Sequence, residues 1–232
     1  MKVKLLRHTA DAELLVGTAA FTSTKSGSPS ENLEKIDLET AKRVIKQVTA
    51  YGHASVIEHA SFTFSIEGVS RAMTHELVRH RIASYTQQSQ RYVAYDTSDS
   101  YVYPKSIKDS QDAKRIFDET LDKISETYQK LLKMGIPKED ARFVLPNAAK
   151  TNIMVTMNAR ELRHFFNLRC CARAQWEIRD VAVEMLRQAK KAAPSLFENS
   201  GPSCIELGFC PEGKMKPKDC EIAEMKKMFQ NL

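Results

Sequence analysis

Apolar positions recur along this chain with two periods, and each period predicts a kind of element. Residues 61 to 68, SFTFSIEG, set Phe62, Phe64 and Ile66 against Ser61, Thr63 and Ser65. That alternation predicts a half-buried strand ended by Gly68. Lys2 to Leu6 predicts a short strand, and Thr151 to Met157 alternates weakly and predicts another. Elsewhere the spacing is helical. Ala41, Val44, Ile45 and Val48 share one helix face, and Gly52 stands where a C-terminal cap belongs. Ser70 can cap a helix running through Ala72, Met73 and Leu77 towards Arg79. The longest helix spans about Gln111 to Met134, with Ile116, Phe117, Leu121, Ile124, Tyr128, Leu131 and Leu132 on one broad face. Gly135 ends it, and Pro137 can begin a short successor that stops before Pro146. Asn158 and Glu161 have the N-cap and N3 spacing of a capping box, so NARELRHFF predicts a helix start. AQWEIRDVAVEMLRQAKKAA is a helix with Ile178, Val181, Met185, Leu186 and Ala189 inward, stopped by Pro194. Residues 25 to 36 are expected to be a loop, as is the stretch after Arg79. The tail, about 195 to 232, is expected to be loop-like and cationic.

These elements add up to an α+β chain, a single mixed helix/sheet domain over residues 1 to 232 with no internal repeat or linker. The composition agrees: 42% hydrophobic and 28% charged residues are ordinary for a globular protein of 232 residues. The net charge of +6 favours anionic partners without choosing among them. Five cysteines, two of them the adjacent Cys170 and Cys171, do not suggest a disulfide framework. His8, Asp11 and Glu13 break the N-terminal apolar run before it could serve as a signal peptide, and no segment approaches a membrane span. A reduced, cytoplasmic protein with no membrane association is the expectation.

Three chemistries can be weighed on residue types. THELVRH brings His75, Glu76 and His80 close in sequence, but a helical zinc signature needs histidines four apart. Five apart, they point roughly 140° away from each other. Cys204, Cys210 and Cys220 are spaced too loosely for a zinc ribbon or finger, so no metal is expected. Among only eight glycines there is neither a dinucleotide-binding fingerprint nor a P-loop. A nucleotide would therefore have to be held by cations, hydroxyls and amides. Residues 79 to 92, RHRIASYTQQSQRY, supply all three. Arg79, Arg81 and Arg91 can bind phosphate bidentately, Ser84 and Ser89 can donate to its oxygens, and Gln87, Gln88 and Gln90 suit a heterocycle edge. A solvated basic loop would more usually carry lysine, glutamate and glycine. A second polar and cationic patch follows downstream: Arg160, Arg163, His164, Arg169 and Arg173, interleaved with Asn158, Asn167 and Gln175. Arginines at a helix N-terminus oppose its dipole unless they serve something anionic. Nucleic-acid binding is the rival reading, and the shortage of aromatics in both patches counts against it.

RHRIASYTQQSQRY resembles the signature of the flavin-dependent thymidylate synthases. GHASVIEH (52–59), ARFVLP (141–146), NAR (158–160), NLR (167–169) and AQWEI (174–178) look like that family's other landmarks, in the same order. The resemblance implies a mixed α+β fold assembled as a homotetramer, with active sites at subunit interfaces and residues of more than one chain around one nucleotide. It implies FAD as hydride carrier, dUMP as substrate, 5,10-methylenetetrahydrofolate as carbon donor and NADPH as reductant. By matched position, Ser55, Arg79, His80, Arg81, Gln87, Asn158, Ala159, Arg160 and His164 would contact flavin. Glu76, Leu77, Val78, Arg79, Gln87, Gln88, Ser89, Gln90, Arg91, Arg142 and Arg169 would contact the nucleotide, and Arg169 would be catalytic, stabilising charge at N3 of the uracil. Two positions depart from the pattern. Glu76 stands where relatives often carry Gln, and would have to face the sugar, be protonated or be displaced. His164 stands where relatives can carry Asn, and adds sensitivity to pH near neutrality. A nucleic-acid-binding protein or a flavin or nucleotide binder without catalysis remains the alternative.

Overall fold

A computed structural model describes residues 1–93 and 100–232. Four strands, β1 (Lys2–His8), β2 (Ser61–Ser70), β3 (Ala83–Gln87) and β4 (Lys150–Asn158), form one sheet in the order β1-β2-β4-β3. The helices in chain order are α1 (Ala12–Thr22), α2 (Pro29–Lys35), α3 (Leu38–Ala50), α4 (Arg71–Leu77), α5 (Lys105–Lys108), α6 (Gln111–Lys133), α7 (Lys138–Ala141) and α8 (Ala159–Arg169), followed by α9 (Trp176–Ala192), α10 (Pro194–Phe197), α11 (Cys204–Leu207) and α12 (Ile222–Gln230). Short 3-10 turns cover Ala54–His59, Arg142–Val144 and Gly213–Met215. Among the described residues, no helix is long and apolar enough to cross a membrane.

The chain packs as two compact units built from separated segments. The first comprises Met1–Lys2, Ile66–Arg79 and Thr86–Ile153; the second comprises Val3–Ser65, His80–Tyr85 and Met154–Leu232. Strands β2, β3 and β4 each continue from one unit into the other along the chain.

In the first unit, α6 packs over a small aromatic core. Leu121 and Tyr128 are buried, and Phe117 leans on the cluster of Tyr101, Leu121 and Ala149. Tyr101 shares a hydrogen bond of 2.9 Å with Ser125, and the half-buried Tyr103 donates to Asp118 at 2.8 Å, so both phenols are satisfied. The inward face of α6 is narrower than its sequence pattern suggested. Ile116 is 57% exposed, because the core reaches only the adjacent row of side chains. Ser70 caps α4 by accepting from the Met73 amide at 3.0 Å, as its position predicted.

The second unit holds the larger core. Phe62, Phe64, Phe165, Phe166 and Phe197 are fully buried, and the Phe62 and Phe197 rings meet edge-to-face at 5.2 Å. Each such side chain removes enough apolar surface from water to contribute about 2–3 kcal/mol. Helix α1 lies directly on α3: a Cβ added at Gly17 would come within 2.7 Å of the Ala41 Cβ, so only glycine permits this approach. Asn158 caps α8 by accepting from the Glu161 amide at 2.9 Å.

Three local expectations are corrected. Residues 29–35 are helical, because Ser28 and Glu31 close a capping box with Pro29 at the first turn. The stretch after Arg79 is not all loop; Ala83–Gln87 forms strand β3. The tail is not loop-like: it carries α10, α11 and α12, and buries Leu196, Phe197, Met225 and Phe229.

Candidate active site

The second unit contains a line of three titratable side chains, two buried and the third half-buried. His80 is 5% exposed and Glu161 7% exposed. Glu161 is placed by the first turn of α8, whose start is fixed by the Asn158 cap. Its carboxylate lies 3.5 Å from Nδ1 of His80. On the other side of the ring, Nε2 of His80 accepts a hydrogen bond of 3.1 Å from Nε of Arg169, the last residue of α8. An arginine only donates, so Nε2 is the unprotonated nitrogen and Nδ1 carries the hydrogen that points to Glu161. The imidazole is thereby kept neutral. Burial first, then the charges of Arg169 and His164, pull its pKa from 6.5 to about 4. Burial pushes the Glu161 carboxyl above its ordinary value, with the His164 charge opposing. The Phe165 ring packs edge-on against His80 at 4.9 Å, and Tyr85 donates to the His80 carbonyl at 2.7 Å. His80, expected as a flavin contact, has Nε2 bonded to Arg169 and Nδ1 facing Glu161.

Around that line the predicted cofactor residues divide. Ser55, on the 3-10 turn Ala54–His59, is exposed, as are Arg81, Arg160 and His164. Arg160 pairs with Glu58 of the same turn at 2.5 Å, which joins that turn to the start of α8. The His164 ring lies 5.9 Å from that of His80. Ala159 is fully buried and its amide is used by the carbonyl of Ala60, so it has no group left for a ligand. Arg163 pairs with Glu206 and Arg173 with Glu212, both in the tail; Asn158 and Gln175 cap α8 and α9. Burial pushes the Cys170 thiol up, opposite to what a nucleophilic thiolate needs.

The first unit holds a different arrangement. Nε2 of Gln87 donates to the hydroxyls of Thr74 and Thr151, at 3.1 and 3.2 Å, which fixes the amide and leaves Oε1 as its remaining polar atom. Gln88 accepts from Asn152 at 3.1 Å, and Ser89 accepts from the Arg91 amide at 3.1 Å. Gln90 is half-buried. Arg91 pairs with Glu139 at 2.7 Å, and Nε of Arg142 donates to the Glu139 carbonyl at 3.0 Å. Glu76, Leu77, Val78 and Arg79 form the end of α4 and its cap. The Arg79 amide donates to the Glu76 carbonyl at 3.3 Å. Leu77 is fully buried, so its side chain belongs to the core. Val78 and Arg79 are exposed.

Two residues were missed in the sequence. Glu161 was read only as a cap, although a carboxylate three residues before His164 was a visible signal. Arg71 was not singled out. It is half-buried, and burial followed by the charge of Arg142 holds its guanidinium below the ordinary value. A half-buried arginine beside the charge of a second one suits an anion.

A family model described as "Thymidylate synthase complementing protein" matches residues 4–195. Among curated proteins, a flavin-dependent thymidylate synthase of Geobacter sulfurreducens is 50% identical, with 100% of this chain and 99% of that protein covered. Those of Clostridium tetani and Pyrococcus horikoshii are 47% and 46% identical, covering 99% and 100% of this chain and 97% and 98% of theirs. Among solved structures, a UMP/dUMP methylase PolB from Streptomyces cacaoi, bound with 5-Br dUMP, superposes with a TM-score of 0.75 at 28% identity, over 93% of this chain and 97% of that one.

Proposed function

We propose, from the premise that this chain belongs to the thymidylate synthase complementing protein family, that it is a cytoplasmic flavin-dependent thymidylate synthase. It would convert dUMP to dTMP with 5,10-methylenetetrahydrofolate as carbon donor and NADPH as reductant, as a homotetramer whose sites take residues from more than one subunit.

The observation that carries this reading is the line Glu161–His80–Arg169, lying where the family signature RHR and the NLR landmark meet in the fold. The donor set also suits FAD. Arg81, Arg160 and His164 are exposed cations and donors on the second unit, with Ser55 on a neighbouring turn. These residues would hold the cofactor, which when bound supplies the hydride. Arg169 would stabilise the negative charge that develops on the uracil, and His80 would hold its guanidinium in one orientation without competing for that charge. A neutral imidazole matters here, since a protonated one would repel Arg169 and lose its acceptor nitrogen. Arg71 and Arg142 would take the phosphate of dUMP, and Gln87 would present a fixed amide oxygen to the nucleotide. Gln88, Ser89, Gln90 and Arg91 would complete the nucleotide loop.

Thymidylate formation from dUMP, methylenetetrahydrofolate, NADPH and FAD tests the whole reading. Product that depends on all four compounds supports it. Purified protein that neither binds added FAD nor forms thymidylate refutes it; affinity for nucleic acid that falls steeply with salt would favour the rival class instead.

A further inference from the structure

Four of the five cysteines converge in the second unit, although the sequence scatters them. Cys171 follows α8, Cys204 opens α11, Cys210 lies just after Gly208, and Cys220 stands immediately before the cap of α12. All four line one cavity of about 60 Å³, whose other walls include Leu168, Ile222 and Met225. The surroundings are prepared for added negative charge. Lys216 and Arg179 act on Cys220, and Nε of Arg179 is buried with no hydrogen-bond partner. Glu212 also lines the cavity, but its carboxylate is taken by Arg173.

We propose that Cys171, Cys204, Cys210 and Cys220 together bind one zinc ion, which ties the tail to the end of the helix that carries Arg169. Four sulfur donors select a borderline-soft cation over calcium or magnesium. A tetrathiolate zinc centre carries two net negative charges, which Arg179 and Lys216 would offset from outside the first ring of ligands. Residues 208–221, which join α11 to α12, contain a single 3-10 turn, and a metal held by Cys210 and Cys220 would fix that stretch. As the thiols stand, no three described cysteine, histidine or acidic side chains are disposed to hold a metal. Binding therefore draws the sulfurs inward to about 2.3 Å from the ion, and each ligating thiol releases its proton to solvent.

Metal analysis of the full chain, purified from medium containing both zinc and iron, is the test. The expected result is about one zinc per chain that survives gel filtration. Cobalt substituted for it should give thiolate-to-metal charge-transfer absorption. The double variant Cys210→Ser and Cys220→Ser should lower zinc content about tenfold or more and make the tail sensitive to protease. Should that variant fail to fold, the unaltered protein still decides. Chelation should open Cys171, Cys210 and Cys220 to alkylation, and added zinc should protect them again. Thiols that react equally with and without zinc would overturn the proposal, as would disulfides among these cysteines, or iron with inorganic sulfide in place of zinc.

Discussion

The two polar clusters of this protein differ at the arginines that carry their proposed roles, Arg169 in one and Arg71 in the other. In the second unit, charge is balanced internally. Arg160, Arg163 and Arg173 each face a carboxylate, and Arg169 leans on a neutral histidine that is itself held by Glu161. In the first unit Arg91 faces Glu139, but burial and then the charge of Arg142 hold Arg71 below its ordinary value, and the fixed groups around Gln87 are hydroxyls and amides. A site balanced before the ligand arrives is suited to orienting a ring and stabilising charge that appears during reaction. A site left with crowded cations is suited to an anion that arrives already charged. The difference assigns chemistry to the one and phosphate binding to the other.

The largest expected effect breaks the first half of that contrast. Arg169→Ala should lower thymidylate formation by about 10²–10³-fold or more, with the oligomeric state unchanged by sedimentation. Normal turnover would remove Arg169 from its role. Next comes the second half. Arg71→Met should raise KM for dUMP by about 10–100-fold, the worth of one or two charge-assisted hydrogen bonds, while leaving FAD affinity within a few-fold. Equal losses for both ligands would erase the distinction between the clusters.

Glu161→Gln sharpens the comparison further. The amide keeps the size of the side chain but removes the charge that fixes the His80 tautomer, so kcat should fall about tenfold with little change in KM. A loss confined to KM would place Glu161 among binding groups instead. The pH dependence follows the same line. His80 has a folded pKa of about 4, below its ordinary 6.5. The unfolded chain therefore binds the proton first on acidification. Stability from this group is complete above about pH 6.5 and is lost as pH falls towards 4. Thermal melts between those limits should show it, and His80→Asn should flatten the curve. The smallest effect is expected at Ser89. Its hydroxyl already accepts from Arg91, so Ser89→Ala should weaken dUMP only several-fold and FAD not at all.

What could be read from the sequence was mostly local. Ser70 and Asn158 are caps because a short oxygen-bearing side chain precedes an apolar helical run, and the structure places both there. Strand β2 was legible from its alternation. Helix α1 was not, since residues 12–22 are apolar almost all round and show no face; it buries Ala12, Val16, Gly17, Thr18 and Ala20. Helix α2 had a complete capping box, hidden among serines and glycines that read as loop. Strand β3 alternates only polar against half-buried residues, so it carries no hydrophobic signal. The cationic residues of the site were visible by type. Their partners were not, because pairing Arg169 with His80, or bringing Cys171 to the same cavity as the tail cysteines, depends on contacts across long stretches of chain.

Nitrogen-15 NMR of the His80 ring, followed from neutral pH down to about pH 4, tests the central claim most directly. The account predicts a neutral ring protonated at Nδ1, with Nε2 bare, that stays so until pH approaches 4. A ring protonated at Nε2, or one that titrates near 6.5, would contradict it.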